Sequence, residues 1–374
     1  MTVAGDQVTD DRATDDRATD GLAAALDRAA VVVCCGSGGV GKTTTAAVLG
    51  LQLAEQGRRV VVVTIDPAKR LADALGLAGG LTNDPTQLEI DATGELWATM
   101  LDTAATFDGL VRTNAPSEEQ AERILSNRFY RNIAGVLSGT QEYMAAERLY
   151  ALHGDPRFDV VIVDTPPSRH ALDFLEAPGT LARFLDHPLF KLLMMPTRRG
   201  LKVLNVAAQP VLRTIGKVVG GDVLADAIAF FQAFDGMETG FRDRADAVMT
   251  LLRSDATRYV LVAAPKRDTI DEARYFAARL AESSLAVSAL IVNRSTPQFA
   301  TPTTRRSRAT TALWANHDEL AATAAAERAQ LGDLVTDVAP APVAWVPMLS
   351  SDVHDLTGLR QIRELLFGPA TTTG

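Results

Sequence analysis

"CCGSGGVGKTTT", residues 34–45, is the stretch on which the reading of the fold turns. Gly36 to Thr43 satisfies the spacing G-x-x-x-x-G-K-[ST], an apolar run "AAVVVCC" at 29–35 precedes it, and a helix is expected after it from about Lys42 to Gln56. Strand, glycine-rich turn and helix is the context a phosphate-binding loop requires. Glycines let the backbone wrap closely around an anion, while successive N–H groups and the helix N-terminus point at it. Lys42 adds a cation and Thr43 a hydroxyl suited to magnesium.

A second stretch completes the site. In "FDVVIVDTPPSRH", 158–170, a buried strand ends in Asp164, which places a carboxylate at the C-terminal edge of the sheet, where it would orient magnesium or a water on it. The two motifs together point to a nucleoside triphosphate. A third, "TIDPAKRLADAL" at 64–75, ends a strand in Asp66. That residue has two readings: a carboxylate that holds and polarises an attacking water, or a cap for the turn at Pro67.

Working outward, short β-branched runs alternate with helical stretches, the pattern of βαβ units. Strands are expected at 29–35, 58–66, 95–101, 158–164, 258–265, 285–293 and 342–347. Their Val/Ile runs are continuous, so both faces should be covered. The expected class is α/β: a mostly parallel P-loop NTPase sheet with helices on both faces. Two helical insertions, 116–152 and about 173–254, exceed a minimal unit; they suggest a helical subdomain from about 105–152 and 173–254. In the second, Leu224, Ile228, Phe231, Phe234, Met237, Phe241, Ala245, Val248 and Leu252 recur at steps of three and four, one apolar stripe.

Composition bounds the rest. The 374 residues are 47% hydrophobic and 22% charged, ordinary for a globular protein, and the net charge of −9 argues against nucleic-acid binding through bulk charge. Residues 1–20, with "DDRATDDRATD", read as a disordered acidic tail; 21–368 as a single P-loop domain; 369–374 as a loose end. The adjacent Cys34 and Cys35 cannot form an ordinary disulfide framework and fit a reducing compartment. No run is long and charge-free enough for a bilayer span. The chain is expected in the cytoplasm, without permanent membrane insertion.

At this point the sequence resembles the deviant-Walker ATPases of the arsenite-pump and tail-anchored-protein-targeting branch. "GSGGVGKTTT" is similar to that family's GKGGVGKTT loop, "TIDPAKRLADAL" to its first switch, "DTPPSRHAL" to its second, "LIVNRS" to its adenine-side motif, and "VPMLSSDVHDLTGLRQI" to its C-terminal base-lining segment. The match runs in order over 29–367. It implies ATP held by Gly38, Gly39, Val40, Gly41, Lys42, Thr43 and Thr44. Lys42, Asp66 and Asp164 would be catalytic, Thr43 and Asp164 would serve magnesium, and Asn293 and Pro347 would flank adenine. His170 would couple the second switch to the rest of the protein.

Three departures from the family pattern follow. Ser37 stands where the family keeps a lysine that reaches across a dimer to the partner's nucleotide; a short neutral hydroxyl cannot supply that charge. Either a homodimer works slowly or with another basic residue such as Arg169, or the chain pairs with a paralogous ATPase subunit that keeps the lysine; the heterodimer is preferred. Next, the segment after Asn293, "STPQFATPTTRRSRATT", lacks the C-x-x-C pair of zinc-binding relatives, so no zinc is expected there. Its Arg305, Arg306 and Arg308 read as a solvated basic surface. Finally, only Cys34 and Cys35 are present, which disfavours arsenite; a regulatory ATP-binding subunit with little hydrolysis of its own and the ATPase component of an anion or ion extrusion system stand as the alternative readings. Between Asp186 and Asp222 six Lys or Arg sit among Leu, Met and Val with no acid, which fits either a groove for a hydrophobic or membrane-protein client or a packed stripe with solvated cations.

Overall fold

A computed structural model describes residues 20–66, 70–128, 130, 140–166, 175–179, 225–226, 229–230, 232–234, 236–299 and 306–368. Arg169, His170, Arg305, the basic apolar stretch at 187–221 and most of both tails lie outside the described residues, as do Leu224, Ile228 and Phe231 of the stripe. The chain divides into two compact units, one of Met1–Met100, Leu152–Leu172 and Arg253–Gly374, the other of Leu101–Ala151 and Asp173–Leu252.

The first unit holds an eight-stranded sheet. Its strands are β1 (Val31–Gly36), β2 (Arg59–Thr64), β3 (Thr86–Leu88), β4 (Glu95–Met100), β5 (Val160–Asp164), β6 (Thr257–Ala263), β7 (Val287–Ser295) and β8 (Val343–Pro347). They lie in the order β3-β4-β2-β5-β1-β6-β7-β8, every pair parallel except β3 with β4. All seven expected strands form, with ends moved by a residue or two. The eighth, β3, has no β-branched run and exposes Thr86 and Gln87, so only its pairing with β4 makes it a strand.

The principal described helices, in chain order, are α1 (Lys42–Glu55), α2 (Arg70–Ala74), α3 (Thr103–Asn114), α4 (Glu118–Leu125), α5 (Thr140–His153), α6 (Glu238–Arg253), α7 (Arg267–Glu282), α8 (Thr311–Asp337) and α9 (Leu356–Phe367). The continuous valine runs work as expected. Val32, Val60, Val62, Ile162 and Val260 join one core with Ala46, Leu49, Leu53 of α1 and Leu359, Ile362, Leu366 of α9. Their odd-numbered neighbours Val31, Val33, Val61, Val161 and Val163 are buried as well. Each of the Val, Leu and Ile side chains among them is worth roughly 1.5–3 kcal/mol when taken fully out of water, so burial is the main force holding α1 and α9 to the sheet.

A polar clamp adds direction to that apolar contact. Arg363 of α9, 4% exposed, pairs with Glu55 at the end of α1 at 3.3 Å, which fixes the C-terminal helix over the one that follows the glycine loop. Among the described residues no helix is long and apolar enough to cross a membrane.

The second unit is helical. Phe234, Met237, Phe241, Ala245, Val248 and Leu252 are all buried. Phe234 meets Phe230 and Phe241 with ring centroids 4.9 and 5.6 Å apart, and Tyr130 stacks between Phe107 and Phe230. Edge-to-face and offset rings of this kind add to area burial. A buried Glu147 on α5 pairs with Arg244 of α6, which also lies over the Tyr150 ring. Burial raises the Glu147 carboxyl above its usual range while the Arg244 guanidinium opposes that shift.

Candidate functional site

Strand β1 sits at the middle of the sheet between β5 and β6, and its C-terminal end opens into the glycine loop at the edge where ligands of open α/β sheets bind. Gly36 leaves the strand with φ 146°, and a Cβ there would lie 2.1 Å from the Val262 carbonyl oxygen of β6. Only glycine can occupy that position. Val40 anchors the far side of the loop by packing on Val262 and Ala264. Gly38 and Gly39 stay exposed, and Gly41 begins the helix in the left-handed region, φ 94°.

On the β5 side, Asp164 is 1% exposed, and one of its oxygens, Oδ2, accepts two hydroxyls: Thr43 Oγ1 at 2.8 Å and Thr64 Oγ1 at 2.9 Å. Its Oδ1 is buried and has no hydrogen-bond partner. Burial pushes the carboxyl up to about 6, against the two hydroxyl bonds and the Lys42 ammonium. Lys42 is itself 6% exposed and donates to the Ser37 carbonyl at 2.7 Å; burial lowers its pKa and Asp164 raises it. A buried acid with one oxygen unpaired beside a threonine hydroxyl is an incomplete ligand set for a hard cation, and oxygen donors of this kind are what magnesium takes.

The β7 side works differently. Asn293 Nδ2 donates to the Val40 carbonyl at 2.8 Å, and Arg294 Nη1 donates to the Gly39 carbonyl at 3.0 Å. The gap left by the missing Cβ of Gly41 is filled by Asn293: a Cβ there would stand 2.2 Å from Nδ2.

A family model described as "Anion-transporting ATPase" matches residues 29–368. The chain belongs to the anion-transporting ATPase family, and it is an ATPase. Its similarity to individual relatives is low but extended. A protein of Aquifex aeolicus named as an arsenical pump-driving ATPase is 24% identical over 349 residues, 90% of this chain and 78% of that one. The "ATPase get3" of Aspergillus terreus is 26% identical over 271 residues, covering 69% and 71%. An "Arsenical pump-driving ATPase" of Acidiphilium multivorum is 27% identical over 269 residues, 70% of this chain and 39% of the relative.

In this family member the expected residues gather at one sheet edge with different partners. Lys42, Thr43 and Asp164 lie together: the Thr43 hydroxyl donates to Asp164, and the Lys42 ammonium acts on its carboxyl. Thr44 is half-buried behind them. Asp66 follows β2 and lies 3.4 Å from Arg70 of α2. Asn293 contacts the loop backbone, and Pro347 ends β8 opposite Ser295, one strand further out. Two further residues at this edge are not among those the sequence motifs single out. Thr64, the last residue of β2, left a signal in its place beside Asp66, two residues short of a carboxylate. Arg294 left none, since its approach to the loop depends on the local path of β7.

The cysteines are accounted for by the strand. Cys34 and Cys35 are both buried in β1, and burial raises both thiols, Cys35 to about 12. Thiolates, the form that binds soft metalloids, are therefore suppressed. Cys34 contributes its carbonyl, which accepts the Thr165 hydroxyl at 2.7 Å and ties the end of β5 to β1.

Proposed function

We propose that this chain binds and hydrolyses Mg-ATP at the loop 36–44 within a dimer, and that its nucleotide state controls a surface for hydrophobic, membrane-protein clients. The partner is a paralogous subunit that retains the lysine absent at Ser37. The observation that carries the reading is the grouping of a buried Lys42, the Thr43 hydroxyl and an Asp164 whose Oδ1 is unpaired.

The chemistry follows from those groups. The loop amides and Lys42 would grip the phosphate chain, which requires Nζ to leave the Ser37 carbonyl and turn toward the stronger acceptor. Thr43 and Asp164 would hold magnesium, which when bound neutralises charge on the phosphates. Asp66, two residues beyond β2, would orient the attacking water. Its neighbour Arg70 lies 3.4 Å from it and is 60% exposed at the side chain. Asn293 and Pro347 would border the base. Ser37 is 8% exposed and neutral, so the developing charge lacks one cation that a second polypeptide would bring.

The test is steady-state ATP hydrolysis by the chain alone, with a lysine-bearing paralogue, and as Ser37→Lys. Slow turnover alone that rises on the order of 10³-fold with the paralogue is expected, on the scale of a trans-acting cation. A partial gain is expected for S37K. Full activity alone that survives Ser37→Ala would remove the heterodimer, and persistence of nucleotide binding in Lys42→Ala would remove the site itself.

A further inference from the structure

Two consecutive side chains of β7 reach the same loop, which an unbroken strand forbids, because successive residues point to opposite faces. The exception is built into the backbone. Pairing with β8 passes from Asn293 opposite Val346 to Ser295 opposite Pro347, leaving Arg294 as an extra residue, and Arg294 adopts the left-handed φ of 58°. A bulge of this sort re-aims a side chain, and a residue with a Cβ takes such a φ only when its surroundings hold it there. Asn293 Oδ1 accepts from the Arg294 N–H at 2.9 Å, which closes the turn on itself.

The consequence for the loop comes from peptide geometry. A trans peptide is planar, so the carbonyl of one residue and the N–H of the next point in opposite directions. Holding the Gly39 carbonyl toward Arg294 turns the Val40 N–H away from it, and holding the Val40 carbonyl toward Asn293 turns the Gly41 N–H the same way. Without such a hold, a loop with glycines at 38, 39 and 41 has many peptide orientations of similar energy, and an anion would have to select one of them.

We propose that Arg294 is a positioning residue of the phosphate loop: with Asn293 it clamps two successive outer carbonyls, presetting the amides of Val40 and Gly41 toward the phosphate chain of a nucleoside di- or triphosphate. This rests on the nucleotide reading of the loop given above. Arg294 is exposed, so it also places a fixed positive charge on the rim of the loop, where anion approach is favoured.

The experiment is titration of Mg-ATP and Mg-ADP against wild type, Arg294→Gly and Arg294→Lys, each also melted without nucleotide. Glycine accepts φ 58° at no steric cost, so R294G removes the side chain while the bulge stays relaxed. Binding of both nucleotides by R294G should weaken about tenfold, the worth of one charge-assisted hydrogen bond, with the nucleotide-free melting temperature unchanged or raised. R294K, which keeps a charged donor on a long stem, should recover to within about threefold of wild type. The clamp is overturned if R294G binds like wild type, if R294K is no better than R294G, or if melting temperature and affinity fall together. Amide hydrogen exchange of the nucleotide-free loop gives a second reading, in which R294G should speed exchange at Val40 and Gly41. Should wild type fail to bind Mg-ATP, the nucleotide reading falls, while unchanged exchange in R294G would separately overturn the clamp.

Discussion

On the β5 side of the loop, side chains meet side chains: Thr43 and Thr64 donate to one oxygen of a buried Asp164. On the β7 side, side chains meet backbone: Asn293 and Arg294 donate to the carbonyls of Val40 and Gly39. The first flank is desolvated and carries a carboxyl displaced to about 6; the second has Asn293 half-buried and Arg294 exposed. On the function and the clamp proposed above, the difference separates two tasks. Charges that act on a ligand are buried, where the dielectric is low and each is worth most. Groups that only orient peptide dipoles can stand in water, because the dipole they hold does the work on the other side.

The largest effect tests the buried flank. Asp164→Asn should lower Mg-dependent ATP hydrolysis on the order of 10³-fold, the scale of losing metal-borne charge worth several kcal/mol. The same substitution should stabilise the nucleotide-free protein, by on the order of 1–3 kcal/mol near pH 7. The sign follows from the raised carboxyl: the folded state binds a proton more readily than the unfolded chain, so stability falls as pH rises from about 4 to about 6. Urea unfolding of D164N and wild type should therefore agree below about pH 4 and diverge above about pH 6. If D164N were the less stable at neutral pH, the buried carboxylate would be a structural ion instead of a strained ligand.

Between the flanks lies Gly41. Gly41→Ala forces a Cβ to 2.2 Å from the Asn293 amide nitrogen at a φ of 94°. The backbone strain alone costs about 1–3 kcal/mol. Displacing Asn293 also releases the Val40 carbonyl, so nucleotide affinity should fall at least about tenfold, more than for R294G, in the same titration. An effect on stability without one on affinity would break the link between the strap and the ligand.

The smallest effect comes from an exposed pair far down the sheet, which calibrates the rest. Asp159 accepts from the Arg59 side chain and backbone N–H, and these bonds pull its carboxyl down to about 2. Asp159→Asn should cost only about 0.5–1 kcal/mol, because both partners are roughly two-fifths exposed and screened. That stability is present above about pH 4 and is lost as pH falls toward about 2. The urea midpoints of D159N and wild type should differ by a constant amount near neutrality and converge in acid, with ATP hydrolysis unaffected.

The sheet and the buried flank were legible from the sequence because their signals are local and redundant. Continuous valines mark a strand whatever its neighbours, and G-x-x-x-x-G-K-T after one strand with Asp164 after another leaves few ways to fold. Strand β3 was not legible, since its three residues become a strand only by meeting β4. The same holds for Thr64, whose hydroxyl matters because β2 and β5 lie side by side, with Thr64 in register with Asp164.

By itself, then, the amino-acid order determined an α/β ATPase with a glycine loop, Lys42 and Asp164 at the ends of neighbouring strands, because each of those follows from a few neighbouring residues and the period of burial. The tertiary structure alone decided that Asp164 keeps one oxygen unpaired, and that Asn293 turns to the loop carbonyl of Val40. It also decided that a one-residue bulge aims Arg294 at the carbonyl next to that one. Those are relations between residues as many as 255 positions apart. No local propensity encodes them; they arise when the packing of β7 beside β6, and of Val40 against Val262, brings two backbones to hydrogen-bond distance.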